Sequence, residues 1–232
     1  MRTLHSAELL VPGPGSAPLP DGAVLVEGDR IAALGPFAEL AERHPHARAR
    51  RWPGLLTPGL LVRGADELLE RTYYPDDPYE VTELGADPIS GEAALEELKM
   101  TEARWGNSAR RGTQKLLARG VVAVTGRFTV PAVRTAVVRS GLTVLPAVAA
   151  VEGTAPGTSP GASAGAAPRT APSLDPLAGR ETAGEAFYGV LETGAPARFA
   201  VFAVADEAAL LELGATTCVA TVISGRLLHR RR

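Results

Sequence analysis

Hydrophobic and polar positions along the chain change rhythm several times, and each change predicts an element. Residues 3–11 carry enough apolar positions for a first strand, and the Pro/Gly-rich run 12–20 reads as a loop. Residues 23–27 and 30–34 are strand-like runs joined by Gly28-Asp29, a two-residue connection suited to a tight hairpin. Gly35-Pro36 ends the second run, and a short helix over 37–43 follows. The apolar run over 52–62 predicts one further strand. Residues 63–89 show no clear period. Within them Tyr73-Tyr74-Pro75-Asp76-Asp77-Pro78-Tyr79 has prolines too closely spaced for a helix or central strand, which predicts a loop.

Helical spacing takes over next. Ser90 caps a helix through Leu95 and Leu98, and Thr101 offers a second cap. Trp105, Ala109, Gly112 and Leu116 form one stripe, with Arg110, Arg111 and Lys115 off it. Gly120 ends this helix as a left-handed cap. Residues 121–125 are a continuous apolar strand, Thr129 caps a helix carrying Val133, Ala136 and Val137, and Ser140-Gly141 closes it before a strand over 142–148. The alternation of strand and helix predicts parallel strands with right-handed crossovers. From 153 to 173 every residue except Arg169 is Gly, Ala, Pro, Ser or Thr, so a flexible linker is expected over 151–180. Beyond it, Thr182 and Glu185 fit a capping box for a helix through 187–191, and residues 194–196 make a turn. Residues 198–204 read as a strand, Asp206 caps a short helix closed by Gly214, and 217–223 is a strand with Cys218, Ala220 and Val222 on one face. Residues 226–229 are the last strand.

Composition changes this picture little. With 232 residues, 45% hydrophobic and 22% charged, the chain reads as an ordinary globular protein. A net charge of -2 gives no reason to expect nucleic acid or an acidic membrane as partner, and the short basic tail at 229–232 reads as solvated. Cys218 is the only cysteine, so no intrachain disulfide can form, and packing is its expected role. No apolar run approaches the ~18 residues of a membrane span, and the N-terminus makes a poor signal peptide, so a cytoplasmic location is expected. The only lysines are Lys99 and Lys115, and with the abundant Ala, Gly and Pro this suggests a high-GC bacterial genome.

Two clusters carry candidate chemistry. His44-Pro45-His46 has the spacing of a metal pair, but it also reads as an exposed turn between a helix and a basic loop over 48–51. Asp76, Asp77 and Glu80 could act as oxygen ligands or acid-base groups, or simply mark a solvated turn beside prolines.

Several motifs in order resemble one family. The sequences SAELLV, DGAVLVEGDRIAALGP and LTPGLL stand in the N-terminal part, and LETGAPARFAVFAV and CVATVISGRLLHRR in the C-terminal part. LLARGVVAVTG and RSGLTVLPAV lie between them. This order resembles the amidohydrolase group that contains imidazolonepropionase and aminodeoxyfutalosine deaminase. The resemblance implies an α/β fold with a composite β-sandwich made by 1–57 and 181–232. It also implies a β/α barrel fragment over 58–150, with only three parallel strands. The family hydrolyses non-peptide C–N bonds in cyclic amides, amidines and aminopurines, with zinc or iron activating water. Its first barrel strand resembles L-x-P-G-L-V-N-A-H-x-H-L-E, and here Pro58, Gly59 and Leu60 fit that pattern. The two metal-binding histidines then fall on Gly64 and Asp66. Gly64 offers no donor, and one carboxylate alone makes no site. No catalytic metal is therefore expected, and the leading reading is a non-catalytic relative kept for binding or assembly. The alternatives are a small-molecule-binding module and a hydrolase with a rearranged site using Asp66, Asp76, Asp77 or the His44/His46 pair. Three parallel strands leave an apolar edge, so a homodimer or protein partner is expected through 121–148.

Overall fold

The computed structural model describes residues 2–75, 77–146 and 173–231. In chain order, β1 (Arg2–Ser6), β2 (Leu9–Leu10), β3 (Leu19–Pro20), β4 (Gly22–Glu27), β5 (Arg30–Pro36), α1 (Phe37–Arg43) and β6 (Arg48–Arg51) come first. Then come β7 (Leu55–Pro58), β8 (Leu60–Val62), α2 (Ala65–Glu70), β9 (Thr72–Tyr73), α3 (Pro78–Leu84), β10 (Ile89–Ser90) and α4 (Glu92–Glu97). The long helix α5 (Glu102–Leu117), β11 (Val121–Thr125), α6 (Pro131–Ser140) and β12 (Thr143–Leu145) follow. The C-terminal part adds β13 (Phe199–Phe202), α7 (Glu207–Leu213), β14 (Cys218–Ile223) and β15 (Arg226–Arg230).

The result is a mixed α/β fold with several sheets and no closed barrel among the described residues. One sheet has the order β5-β4-β1-β6, a second β15-β14-β13-β7-β2-β3, and a third, parallel, β12-β11-β8, beside a small β9-β10 pair. The second sheet joins distant parts of the chain: β13 runs antiparallel to β7 from Phe199↔Pro58 to Phe202↔Leu55. Its two faces serve different cores, because strand side chains alternate. Leu10, Leu56, Phe199, Val201, Ala220 and Val222 pack with Val24, Val26 and Ile31 of the first sheet. Leu55, Ala200, Phe202 and Ile223 pack instead with Leu60, Val122 and Leu116 of the parallel sheet and α5. Thr221 Oγ1 donates to the Leu117 carbonyl at 2.6 Å, tying β14 to the end of α5.

The apolar run over 52–62 is two strands in two sheets. Gly59 is the switch between them: a Cβ there would lie 2.2 Å from Val122 Cγ1, so only glycine lets β8 pack against β11. The first run, 3–11, is likewise two strands, β1 and β2, in different sheets. Residues 48–51, expected as a basic loop, form the edge strand β6. Cys218 does not share a face with Ala220 and Val222. A bulge shifts the register between Val201↔Ala220 and Phe202↔Cys218 and turns Cys218 to the other core.

Helix ends follow local chemistry in most places. Thr101 Oγ1 accepts from Arg104 N at 3.2 Å, Asp206 Oδ1 accepts from Ala209 N at 2.8 Å, and Gly141 caps α6 in the left-handed region. Several expectations fail. Gly120 lies beyond the end of α5, whose C-cap is Ala118 in the right-handed region, and Val130 rather than Thr129 is the cap of α6. The helix expected from Ser90 starts later, with Gly91 at its cap. Residues 183–186 make a short 3-10 turn in place of a helix through 187–191, with Thr182 N and Oγ1 both donating to Glu185 Oε1. Residues 78–84, which begin inside the expected loop, are helical, because Pro78 occupies the first turn, where its missing N–H is not needed. The strand expected over 142–148 spans Thr143–Leu145, and its last positions, 147 and 148, lie outside the described residues. So do residues 151–172 of the expected linker, while its last part packs against the fold: Leu177 is buried, and Asp175 Oδ2 accepts from Ala215 N at 3.0 Å.

Candidate functional site

The parallel strands β8 and β11 end side by side, and the positions singled out by the sequence lie just beyond them. Gly64 follows β8 with φ 68° and stands at the N-terminal cap of α2, where its N–H donates to Thr125 Oγ1 at 3.2 Å. Nothing lies within 4 Å of a Cβ placed on Gly64, but its φ of 68° is one that residues with side chains rarely adopt, so the backbone here suits glycine. Asp66 sits in the first turn of α2, where a carboxylate is favoured by the exposed helix N–H groups. It backs onto Gly126 after β11, where a Cβ would come within 2.8 Å of Asp66 Oδ1.

The neighbouring carboxylate, Glu70, is engaged. Its Oε1 accepts from Val130 N at 2.7 Å and its Oε2 from Thr129 Oγ1 at 2.9 Å. Glu70 thereby satisfies the start of α6, the capping role the sequence assigned to Thr129; Val130 holds the cap position and Pro131 follows it. Asp66, Glu70, Arg71, Arg127 and Thr129 border a cleft of about 360 Å³. No group of three His, Cys, Asp or Glu side chains among the described residues could hold a metal ion. A catalytic zinc or iron needs three protein ligands with an open position, so these donors do not fit one.

The other sequence candidates are placed apart. Asp77 is the N-cap of α3, its Oδ1 accepting from Tyr79 N at 2.9 Å. Glu80 is clamped: Tyr73 Oη donates to it at 2.6 Å and Arg104 Nη2 pairs with its Oε1 at 3.1 Å. Arg104 also lies 5.2 Å from the centre of the Tyr73 ring. Asp76 lies outside the described residues. His44 ends α1, its N–H donating to the Leu40 carbonyl at 2.9 Å, and His46 is exposed on the turn before β6.

Cys218 is fully buried, and burial pushes its thiol up to about 11, so it is no thiolate nucleophile at neutral pH.

A buried titratable group that sequence reasoning left without a role is His5. It is 2% exposed, Trp52 Nε1–H donates to its Nδ1 at 3.2 Å, and the Phe199 ring stands edge-on at 4.9 Å. Burial, and then the charge of Arg50, lower its pKa from 6.5 to about 4. Between those values the unfolded chain binds a proton that the folded chain does not. Stability therefore falls as pH drops through that window, by roughly 3 kcal/mol from this residue, and levels off below it. Urea unfolding from pH 7 to pH 4 measures it. A His5→Phe variant should lose most of the slope, and an unchanged slope would assign it elsewhere.

Comparison with known proteins adds the following. Residues 22–47, covering β4 to α1, match the family described as imidazolonepropionase-like composite domain, bacteria. No curated protein matches the chain by sequence. Among solved structures, E. coli guanine deaminase is similar with TM-score 0.46 and 13% identity, over 63% of this chain and 36% of that one. A. niger ochratoxinase is similar with TM-score 0.43 and 22% identity, over 62% and 30%. Helicobacter pylori aminofutalosine deaminase is similar with TM-score 0.42 and 13% identity, over 63% and 33%. The chain spans about a third of the length of each of these structures.

Proposed function

We propose that this chain is a non-catalytic relative of the amidohydrolase group, kept for binding or assembly rather than for hydrolysis of C–N bonds. In this reading 1–57 and 181–232 build a composite β-sandwich, 58–150 is a three-stranded barrel fragment and 151–180 links them. The family match over residues 22–47 and the order of motifs support the descent. The observation that carries the loss of activity is the pair Gly64 and Asp66. One position is a glycine with no donor, and the other has a carboxylate without companions, since Glu70 is held by Thr129 and Val130.

Elemental analysis of untagged protein tests the proposal. The expected result is well below one zinc or iron per chain, unchanged in an Asp66→Ala variant. One tightly held metal per chain, lost in that variant, overturns it.

A second reading, a small-molecule-binding module, is favoured by one observation. A cleft of about 950 Å³ lies between α2, α4 and the start of α5, with Leu68, Leu95, Met100 and Trp105 as its apolar lining. That volume falls in the range of small-molecule sites.

A further inference from the structure

Two edge strands from opposite parts of the sequence bring together arginines that no carboxylate answers. β6 is the outer strand of its sheet, pairing with β1 on one side from Thr3↔Arg48 to Ser6↔Arg51, and no strand pairs its other side among the described residues. β15 is the outer strand of the neighbouring sheet. Arg50 of β6 is held below its ordinary pKa, first by burial and then by the charges of Arg48 and of Arg230 on β15, so these cations share one patch. Arg230 lies over the Trp52 ring at 5.8 Å, and Arg51 over the Phe37 ring at 4.2 Å. The ion pairs among the described residues are Arg2–Glu27, Arg43–Glu39, Arg71–Glu67 and Arg104–Glu80, and none involves this patch.

A charged edge deters unwanted strand pairing. Here several cations repel one another at one place on a chain whose net charge is -2. We propose that the β6 edge docks an extended acidic segment of a partner protein by strand addition. The unpaired backbone groups of β6 bond the added strand, which supplies affinity independent of its sequence. Side chains alternate along β6, so Arg48 and Arg50 project to one face and Arg51 to the other. Carboxylates on both faces of the added strand therefore meet guanidinium groups in charge-assisted hydrogen bonds, and the repulsion among the arginines is relieved. A nucleic acid would use the charge but leave the strand edge unused.

The test titrates the full-length chain carrying Trp105→Phe, so that Trp52 alone reports. The probe is a capped six-residue peptide, about the usual strand length, of sequence Glu-Glu-Val-Val-Glu-Glu, which puts carboxylates on both faces of the strand it forms. Binding should change Trp52 fluorescence, weaken at high salt, and weaken at least about tenfold in an Arg48→Glu/Arg50→Glu variant. That variant should keep its melting temperature, because the substitutions remove like-charge repulsion. A second peptide has the same charge, with prolines in place of the valines, and should not bind, because proline has no N–H to donate. Absence of binding by the first peptide overturns the proposal. So does equal binding of the proline peptide or of inorganic polyphosphate, which would make the patch a general polyanion surface. Slow hydrogen exchange of the Ala49 and Arg51 amides in the free protein also overturns it: Trp52 N donates to Ser6 O of β1, so by alternation these two amides face outward, and their protection would mean the outer edge is already covered.

Discussion

Ending the chain after Pro196 unfolds the N-terminal strands as well as removing β13 to β15. The reason is the way the second sheet is assembled. β7 leans on β13 along its whole length, and without it keeps only the two-residue β2 as a neighbour. Phe199 and Val201 fill the core shared with Val24, Val26 and Ile31, and Phe202 fills the other core beside Leu60 and Val122. Each such side chain contributes about 1.5–3 kcal/mol on full burial. Removing Phe199, Val201, Phe202, Val222 and Ile223 together takes away an amount comparable to the whole ~5–15 kcal/mol by which a domain is stable. A 1–196 fragment should show a collapsed amide NMR spectrum and no cooperative urea transition. A dispersed spectrum with a sharp transition would show that the N-terminal strands form a core of their own.

The same long-range assembly explains which features were legible in the sequence. The hairpin at Gly28-Asp29, the caps at Thr101, Asp206 and Gly141, and the alternation of β11, α6 and β12 depend on neighbours within a few residues. Sequence pattern reports those directly. The break at Gly59 was hidden because an apolar run reads the same whether it lies in one sheet or crosses between two; only the approach of Val122 makes the glycine necessary. β6 was hidden for the opposite reason. As an edge strand of arginines it has no apolar rhythm and is defined by pairing with β1, far earlier in the chain. At the candidate site, Gly64 and Asp66 were legible only through resemblance to a family pattern. The engagement of Glu70 by Thr129 and Val130, the Tyr73–Glu80–Arg104 clamp and the Trp52–His5 hydrogen bond link residues distant in sequence, and no local signal announces them.

Static light scattering at micromolar concentration should give twice the chain mass, and a Val144→Lys variant should give the mass of one chain. The argument starts from the parallel sheet. Parallel strands are normally covered on both faces and extended by further strands. β11 meets this condition: Val121, Val122, Ala123 and Val124 are fully buried. β12 does not. It is the outer strand of the β12-β11-β8 sheet, Thr143 and Leu145 are only half-buried, and Val144 is 42% exposed. On the preceding helix α6, Val138 is 66% exposed. Among the described residues this places an apolar surface beside an unpaired strand edge that carries no charged side chain. A two-fold contact between copies of the chain covers such a surface with the least new structure, because one self-complementary patch serves both partners. A lysine at 144 adds a charge that the contact would have to bury, while the isolated chain leaves it in water. Val138→Lys, on the exposed face of α6, is the companion variant, since a charge there leaves the strand itself untouched. Both variants should retain the circular dichroism spectrum of the parent. A native chain that is monomeric at the same concentration, with those amides of 143–145 that point away from β11 already protected from hydrogen exchange, would show that the chain covers this edge itself, and the assembly reading would lose its support.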